Sequence, residues 1–274
     1  MLLPKELQNK KIIHIPNVVK KQKIDLENKK EFKKIVYLSR IDELKGQDFL
    51  INSFSKIAKK YPNWQIDIWG DVSSKKHFKK LNKQIKTLNL EKQIFFKGIT
   101  KNSIETLKKY DFCVFPSFFE GWGFGLSEAL SVGLPAIGLE ECSAVNELII
   151  DNYNGFLSPK NLNIFSKKIE ILILNKNLRN QLAKNALESV KKYEKEKIDK
   201  LWLVDIEKII NNETLDKFTQ TSLPEKTFPI EKIIKKENKY NFIQKIFSIK
   251  NEFIKSRKKK VLRFLGLKII LKKI

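Results

Sequence analysis

Apolar and polar positions along most of the chain switch between a period of two and a period near 3.6. Lys34-Ile35-Val36-Tyr37-Leu38 is a short apolar run and predicts a buried strand. Over residues 46–60, Phe49, Leu50, Phe54, Ile57 and Ala58 recur at helical spacing. Residues 64–69 alternate and stop at Gly70, which predicts a second strand. A helix is expected over 75–88, and Gln93-Ile94-Phe95-Phe96 reads as a third strand closed by Gly98. Ser103 reads as the N-cap of a short helix, with Thr106 where a capping box would place Glu. Residues 111–115 predict a fourth strand, with a helix over 124–131 after it. Leu134-Pro135-Ala136-Ile137-Gly138 predicts a fifth strand, 143–150 a helix, and Gly155-Phe156-Leu157 a short sixth strand. Three helical stretches follow, over 164–174, 178–193 and 198–210.

Strands alternating with helices of this length build βαβ units. The expected fold is therefore α/β: one Rossmann-like, doubly wound parallel sheet over residues 31–211. Residues 1–30 form a polar N-terminal extension around Ile12-Ile13-His14-Ile15-Pro16-Asn17-Val18-Val19. Residues 212–230, with Asn, Thr, Ser and two prolines, read as a linker, and 231–274 as a basic amphipathic tail.

Composition sharpens the tail. The formal net charge is +24, and residues 225–274 hold 16 Lys/Arg against 4 Glu, half of the excess. Drawn as a helix, the tail gathers Val261, Leu262, Leu265 and Ile269 into a stripe interrupted by Gly266, which suits an interfacial helix on an anionic membrane surface, the alternative being packing against a further domain or a partner. Nucleic acid is not the expected partner, because no recognition motif accompanies the charge. A hydrophobic content of 42% supports a core, and no apolar run reaches the roughly 18 residues of a membrane span. No secretory signal is expected at the N-terminus. Cys113 and Cys142 are read as reduced, buried thiols of a cytoplasmic protein. His14 and His77, the two histidines, have no ligand-spaced partners, so no metal is expected.

The densest chemistry lies in Glu120-Gly121-Trp122-Gly123-Phe124-Gly125-Leu126-Ser127-Glu128, between the fourth strand and its helix. Glycines let backbone approach a ligand, and the first helical turn offers free amides to phosphate. Ionised Glu only accepts hydrogen bonds, which suits hydroxyls. Phosphate and hydroxyls together point to a nucleotide-sugar. Arg40 and Lys45 follow the first strand, where a βα loop faces the same crevice, and two cations there suit a diphosphate.

With Ile15-Pro16-Asn17, Ser39-Arg40, Lys45-Gly46, Ile68-Trp69-Gly70, Phe96-Lys97-Gly98, Pro116-Ser117, the Glu120 to Glu128 segment, Ala129-Leu130, Gly133-Leu134-Pro135, Glu147 and Asn154-Gly155 in this order, residues 15–193 resemble the C-terminal, donor-binding half of family 4 glycosyltransferases. Those enzymes have two facing Rossmann-like domains, the GT-B arrangement. The resemblance implies that Arg40 and Lys45 hold the donor diphosphate, that Glu120 accepts from hydroxyls of the transferred hexose and that Glu128 holds the ribose. It implies that backbone around Gly123, Phe124 and Gly125 approaches the sugar and phosphates, and that Ser117, Gly121, Trp122 and Leu126 belong to the same donor site, the Trp122 ring either facing the sugar or packing inward. Gly70 and Lys97-Gly98-Ile99 would line the base pocket.

By the same resemblance, a UDP- or GDP-type donor gives its sugar to a glycan or lipid-linked acceptor, with retention and with no cofactor or essential metal. The setting would be bacterial surface polysaccharide, lipopolysaccharide or capsule, at the inner face of the cytoplasmic membrane. Two departures stand out. Ser39 replaces the usual Gly, and too few residues precede the first strand for the acceptor domain. The chain is then a fragment, or its other half is a separate polypeptide. A non-catalytic partner subunit is the rival reading. A nucleotide-sugar epimerase or dehydrogenase lacks support, since no Gly-x-Gly-x-x-Gly follows the first strand.

Overall fold

The computed structural model describes residues 14–210, 260–264 and 267–271, with side chains through residue 207. The expected linker 212–230, residues 1–13 and most of the expected tail lie outside these. The chain divides into two units, residues 1–220 and 221–274.

In the first unit, strands β1 (Lys34–Leu38), β2 (Gln65–Trp69), β3 (Ile94–Gly98), β4 (Phe112–Phe115), β5 (Ala136–Leu139) and β6 (Gly155–Ser158) form one sheet in the order β3-β2-β1-β4-β5-β6. Every neighbouring pair is parallel. This is the doubly wound α/β sheet that the alternation predicts. β4 and β5 are buried along their whole length, as strands covered on both faces must be. Asp67, a polar residue of the alternating stretch 64–69, is buried as well, since β2 lies inside the sheet. It accepts from Tyr110 Oη (2.7 Å) and Gln65 Nε2 (3.1 Å), which compensates the carboxylate for lost water.

The helices are α1 (Gln47–Ser55), α2 (Lys75–Thr87), α3 (Ser103–Leu107), α4 (Phe124–Ser131), α5 (Ser143–Leu148), α6 (Leu162–Leu174), α7 (Lys176–Ser189) and α8 (Lys195–Ile210). Two expected helices are shorter than their apolar patterns. The stretch 46–60 splits into α1 and a 3-10 turn at Ala58–Lys60, and 178–193 into α7 and a turn at Lys191–Tyr193. The cap of α3 is Asn102 rather than Ser103: its side-chain oxygen reaches the Glu105 amide at 3.1 Å. The N-terminal extension is no free arm where it is described. Val19 is buried and donates its amide to Tyr193 O at 2.8 Å. Both cysteines are free and buried, and burial pushes both thiols up.

Two polar knots brace the helices. Glu170 on α6 is buried and accepts from Lys60 Nζ (2.6 Å), Tyr61 Oη (2.7 Å) and Lys167 Nζ (3.0 Å). Those bonds hold its carboxyl down at about 2. Arg179 on α7 is buried at the opposite side of the sheet from the strand C-termini. Its guanidinium donates to the Leu172 and Ile173 carbonyls at the end of α6, pairs with Glu31, and stacks 5.3 Å from the Trp64 ring.

In the second unit, Lys260–Phe264 (β7) and Leu267–Leu271 (β8) form an antiparallel pair, Lys260 opposite Leu271 and Phe264 opposite Leu267. This corrects the helix expected there. Val261, Ile269 and Ile270 are β-branched, and only Leu265-Gly266 separates the strands, a spacing suited to a hairpin and not to a continuous helix. Among the described residues no helix is long and apolar enough to cross a membrane.

The contact that sets the site is at Gly125. Its α4 backbone lies so close to the end of β1 that a Cβ there would stand 2.2 Å from Leu38 O. Gly125→Ala should force α4 off β1 and cost about 1–3 kcal/mol, read as a loss of several degrees in the melting temperature. For Glu170→Gln the expected loss depends on pH. The wild-type carboxylate stabilises the fold fully above its ordinary 4.5, and that gain fades as pH falls through about 2. Melting curves of the two proteins should therefore differ at pH 7 and converge towards pH 2.

Candidate functional site

β1 and β4 are neighbours, and their onward connections leave in opposite directions, to β2 and to β5. A crevice opens beyond their C-terminal ends. After β1 come Ser39 and Arg40, then a 3-10 turn (Glu43–Lys45) capped by Asp42, whose carboxylate accepts from the Leu44 amide at 3.0 Å. After β4 come Pro116 to Glu120 and the glycine-rich entry to α4. The two loops are laced together. Phe118 N donates to Leu44 O at 2.9 Å, and a Cβ on Gly46 (φ +66°) would lie 2.1 Å from Pro116 O.

This lacing brings the expected cations and acids to one edge. Arg40 is exposed, and its guanidinium has no hydrogen-bond or ion-pair partner among the described residues. Its backbone is held, since Gln47 Nε2 donates to Arg40 O at 2.7 Å. Lys45 is buried rather than solvated. Its Nζ pairs with Glu120 Oε2 at 2.8 Å and donates to Phe119 O at 3.0 Å. The other Glu120 oxygen accepts from Ser117 Oγ at 2.8 Å. Glu128 is half-buried on α4, and its carboxylate has no partner among the described residues. Gly123 caps α4 in the left-handed region at φ +81°; its carbonyl accepts from Leu126 and Ser127 at 3.0 Å. The Phe124 and Gly125 amides are left to face the crevice end, where the helix dipole favours an anion. Phe119 and Phe124 stand exposed on the rim.

Gly70 sits at the end of β2, where a Cβ would lie 2.0 Å from Ser39 O, so it seats the Arg40 loop from behind. Lys97, Gly98 and Ile99 end β3 at the same edge and are exposed, Ile99 at 70%. Gly121 is exposed with open space around it.

At four of the expected donor-site positions the side chain is not what a ligand would meet. Trp122 is buried edge-on against Tyr193 (centroids 5.1 Å apart), because the turn that exposes Gly121 folds the next side chain inward. Leu126 lies in the core, on the inner side of α4. Gly125 is the close packing point already described, and what it can offer a ligand is its amide. Ser117 is fully buried, and its hydroxyl is spent on Glu120 and on Tyr37 Oη, 2.8 Å away.

Tyr37 is the residue that sequence reading misses. It is fully buried on β1, and burial pushes its phenol well up, so it keeps its proton. It donates to Lys45 O at 2.6 Å. The one signal in the sequence is a hydroxyl-bearing ring inside an otherwise aliphatic strand, which must find a polar partner.

A second hollow lies at the opposite edge of the sheet, lined by Lys29, Lys30, Glu31, Asp111 and Arg179 among others. Burial draws the Lys29 ammonium down to about 8 there, against the pull of Asp111. Asp111 is committed to the Phe32 and Lys34 amides and Arg179 to α6, so this hollow is structural.

Known proteins share this fold. The profile of the family described as glycosyl transferases group 1 matches residues 18–189. An uncharacterised glycosyltransferase of Methanocaldococcus jannaschii is 34% identical over 244 residues, covering 84% of this chain and 57% of that protein. A poly(ribitol-phosphate) alpha-N-acetylglucosaminyltransferase of Staphylococcus aureus is 31% identical, over 61% of this chain and 34% of its own length. A crystal structure of S. aureus TarM with UDP superposes with a TM-score of 0.65 at 29% identity, over 70% of this chain and 38% of that one. The C-terminal domain of a group 1 family protein from Francisella tularensis gives 0.53 at 30% identity, over 59% of this chain and 86% of that domain. The chain thus spans little more than half of the longest-matching of these full-length relatives, and a third of the other. With a family profile over most of the folded unit and the fold to match, the chain belongs to the group 1 glycosyl transferases, with a sheet of the GT-B type.

Proposed function

We propose that this chain is the donor-binding part of a hexosyltransferase. It takes a UDP- or GDP-sugar and passes the sugar, with retention, to a glycan or lipid-linked acceptor held by a further domain or a separate polypeptide. The observation that carries the reading is the gathering of Arg40, Lys45, Glu120 and Glu128 around one strand-order switch point. The similarity to a poly(ribitol-phosphate) transferase and to TarM bound to UDP supports a nucleotide-sugar donor.

The chemistry follows from residue type. Arg40 offers a planar fork to phosphate oxygens, and Lys45 a point charge. Both stabilise the negative charge that builds on the departing diphosphate, so in this reading two cations and no metal carry that charge. The Phe124 and Gly125 amides add the positive end of α4. Glu120 and Glu128 accept from hydroxyls of the sugar and the ribose. The excess cations in residues 225–274 support attraction to anionic lipid, which would keep the chain at the cytoplasmic membrane face.

Titration calorimetry with UDP, GDP and ADP tests the site: one of them should bind, and no heat with any would refute the reading. Arg40→Ala should weaken that binding by about 1.5–3 kcal/mol, roughly ten- to 150-fold, with the melting temperature unchanged because the side chain supports nothing in the fold.

A further inference from the structure

The two cations of the crevice are in opposite states. Arg40 is exposed and unpartnered, whereas Lys45 is already bound to the acid expected to hold the sugar. The Lys45 and Glu120 side chains are only 11% and 12% exposed, and their contact is 2.8 Å. The pair lies on a ring of close contacts across both loops: Ser117 Oγ lies 2.8 Å from the Glu120 carboxylate and 2.8 Å from Tyr37 Oη, and Tyr37 Oη lies 2.6 Å from the carbonyl of Lys45 itself, two hydroxyl protons serving the three contacts. Tyr37 and Ser117 are fully buried, so neither reaches a ligand directly.

We propose that Lys45 and Glu120 form a latch that a diphosphate opens. Resting on the donor-site reading above, the sequence of events is an exchange of partners. Arg40, free and outermost, receives the phosphate first. The diphosphate, with more than one negative charge, then draws Lys45 Nζ away from a single carboxylate. That leaves Glu120 largely buried without its cation, a costly state unless something donates to it. The sugar hydroxyls of the same donor do so, while Ser117, braced by Tyr37, keeps the released carboxylate in place. Tyr37 and Ser117 are thus positioning residues, and the site favours a complete nucleotide-sugar over the bare diphosphate.

The exchange makes a prediction that a fixed site does not. Glu120→Gln removes the competitor for Lys45, so the nucleoside diphosphate should bind about three- to tenfold tighter to the variant. A nucleotide-sugar should lose its advantage over the diphosphate. Equal or weaker diphosphate binding in a folded variant overturns the exchange. A second measurement needs no ligand: acylation of surface amines, read by peptide mass spectrometry. Lys45 should react slowly in the wild type, several-fold faster in Glu120→Gln, and at an intermediate rate in Tyr37→Phe, which keeps both charges. Equal Lys45 rates in the wild type and Glu120→Gln overturn the latch whatever the nucleotides do. If the wild type binds no nucleotide, the proposed function fails, and the labelling still decides whether the latch exists.

Discussion

Everything at the crevice depends on backbone meeting backbone around the end of β1. Gly125 lets α4 rest on Leu38 O, and Gly46 lets the turn after β1 rest on Pro116 O. A methyl group at either point would occupy the space of an oxygen. Because both contacts use main chain, they fix distances that side chains could only adjust. The cation loop and the acid loop then have one relative placement, and the 2.8 Å approach of Lys45 to Glu120 follows from it. Packing in such an interior is close to crystalline, so a shift at one contact passes to the next.

Charge is then distributed with an economy that geometry explains. An exposed ion pair contributes little, and a buried pair recovers its desolvation cost only with further hydrogen bonds. Lys45 and Glu120 have those bonds, from the Phe119 carbonyl and from Ser117. Arg40 stays outside and needs none. The site therefore has one cation held ready and one in water, and a structure that can rest without a ligand.

Much of this was legible before any coordinates. All six strands of the main sheet were expected within a residue or two of where they lie, since short buried runs bounded by Gly and Pro leave few alternatives. Arg40, Lys45, Glu120 and Glu128 were expected at one edge because strand order and loop position place them there. The sequence did not reveal partners that arise only when distant segments meet. The bond from Tyr37 to Lys45, the pairing of buried Asp67 with Tyr110 and the inward turn of Trp122 are of that kind. Local chemistry also misled in two places. At α3, Asn102 outcompetes Ser103 for the free amides, because its carbonyl reaches the Glu105 amide from one position earlier. At 260–264 and 267–271, apolar residues drawn on a helix belong to two strands, because short runs of Val, Leu and Ile suit either geometry.

Arg179 carries a consequence of its own. Of the 55 cationic residues in this chain only four are arginines, and the main sheet has two of them, Arg40 and Arg179, one at each end of it. Arg179 serves two carbonyls, one carboxylate and an indole face at once. An ammonium has neither the flat shape nor the spread of donors to do that. In a chain whose composition favours lysine almost everywhere, the guanidinium persists where a planar, many-armed donor has no substitute. Of the two at the main sheet, one joins helix, sheet and incoming chain, and the other is left open to the solvent at the far end.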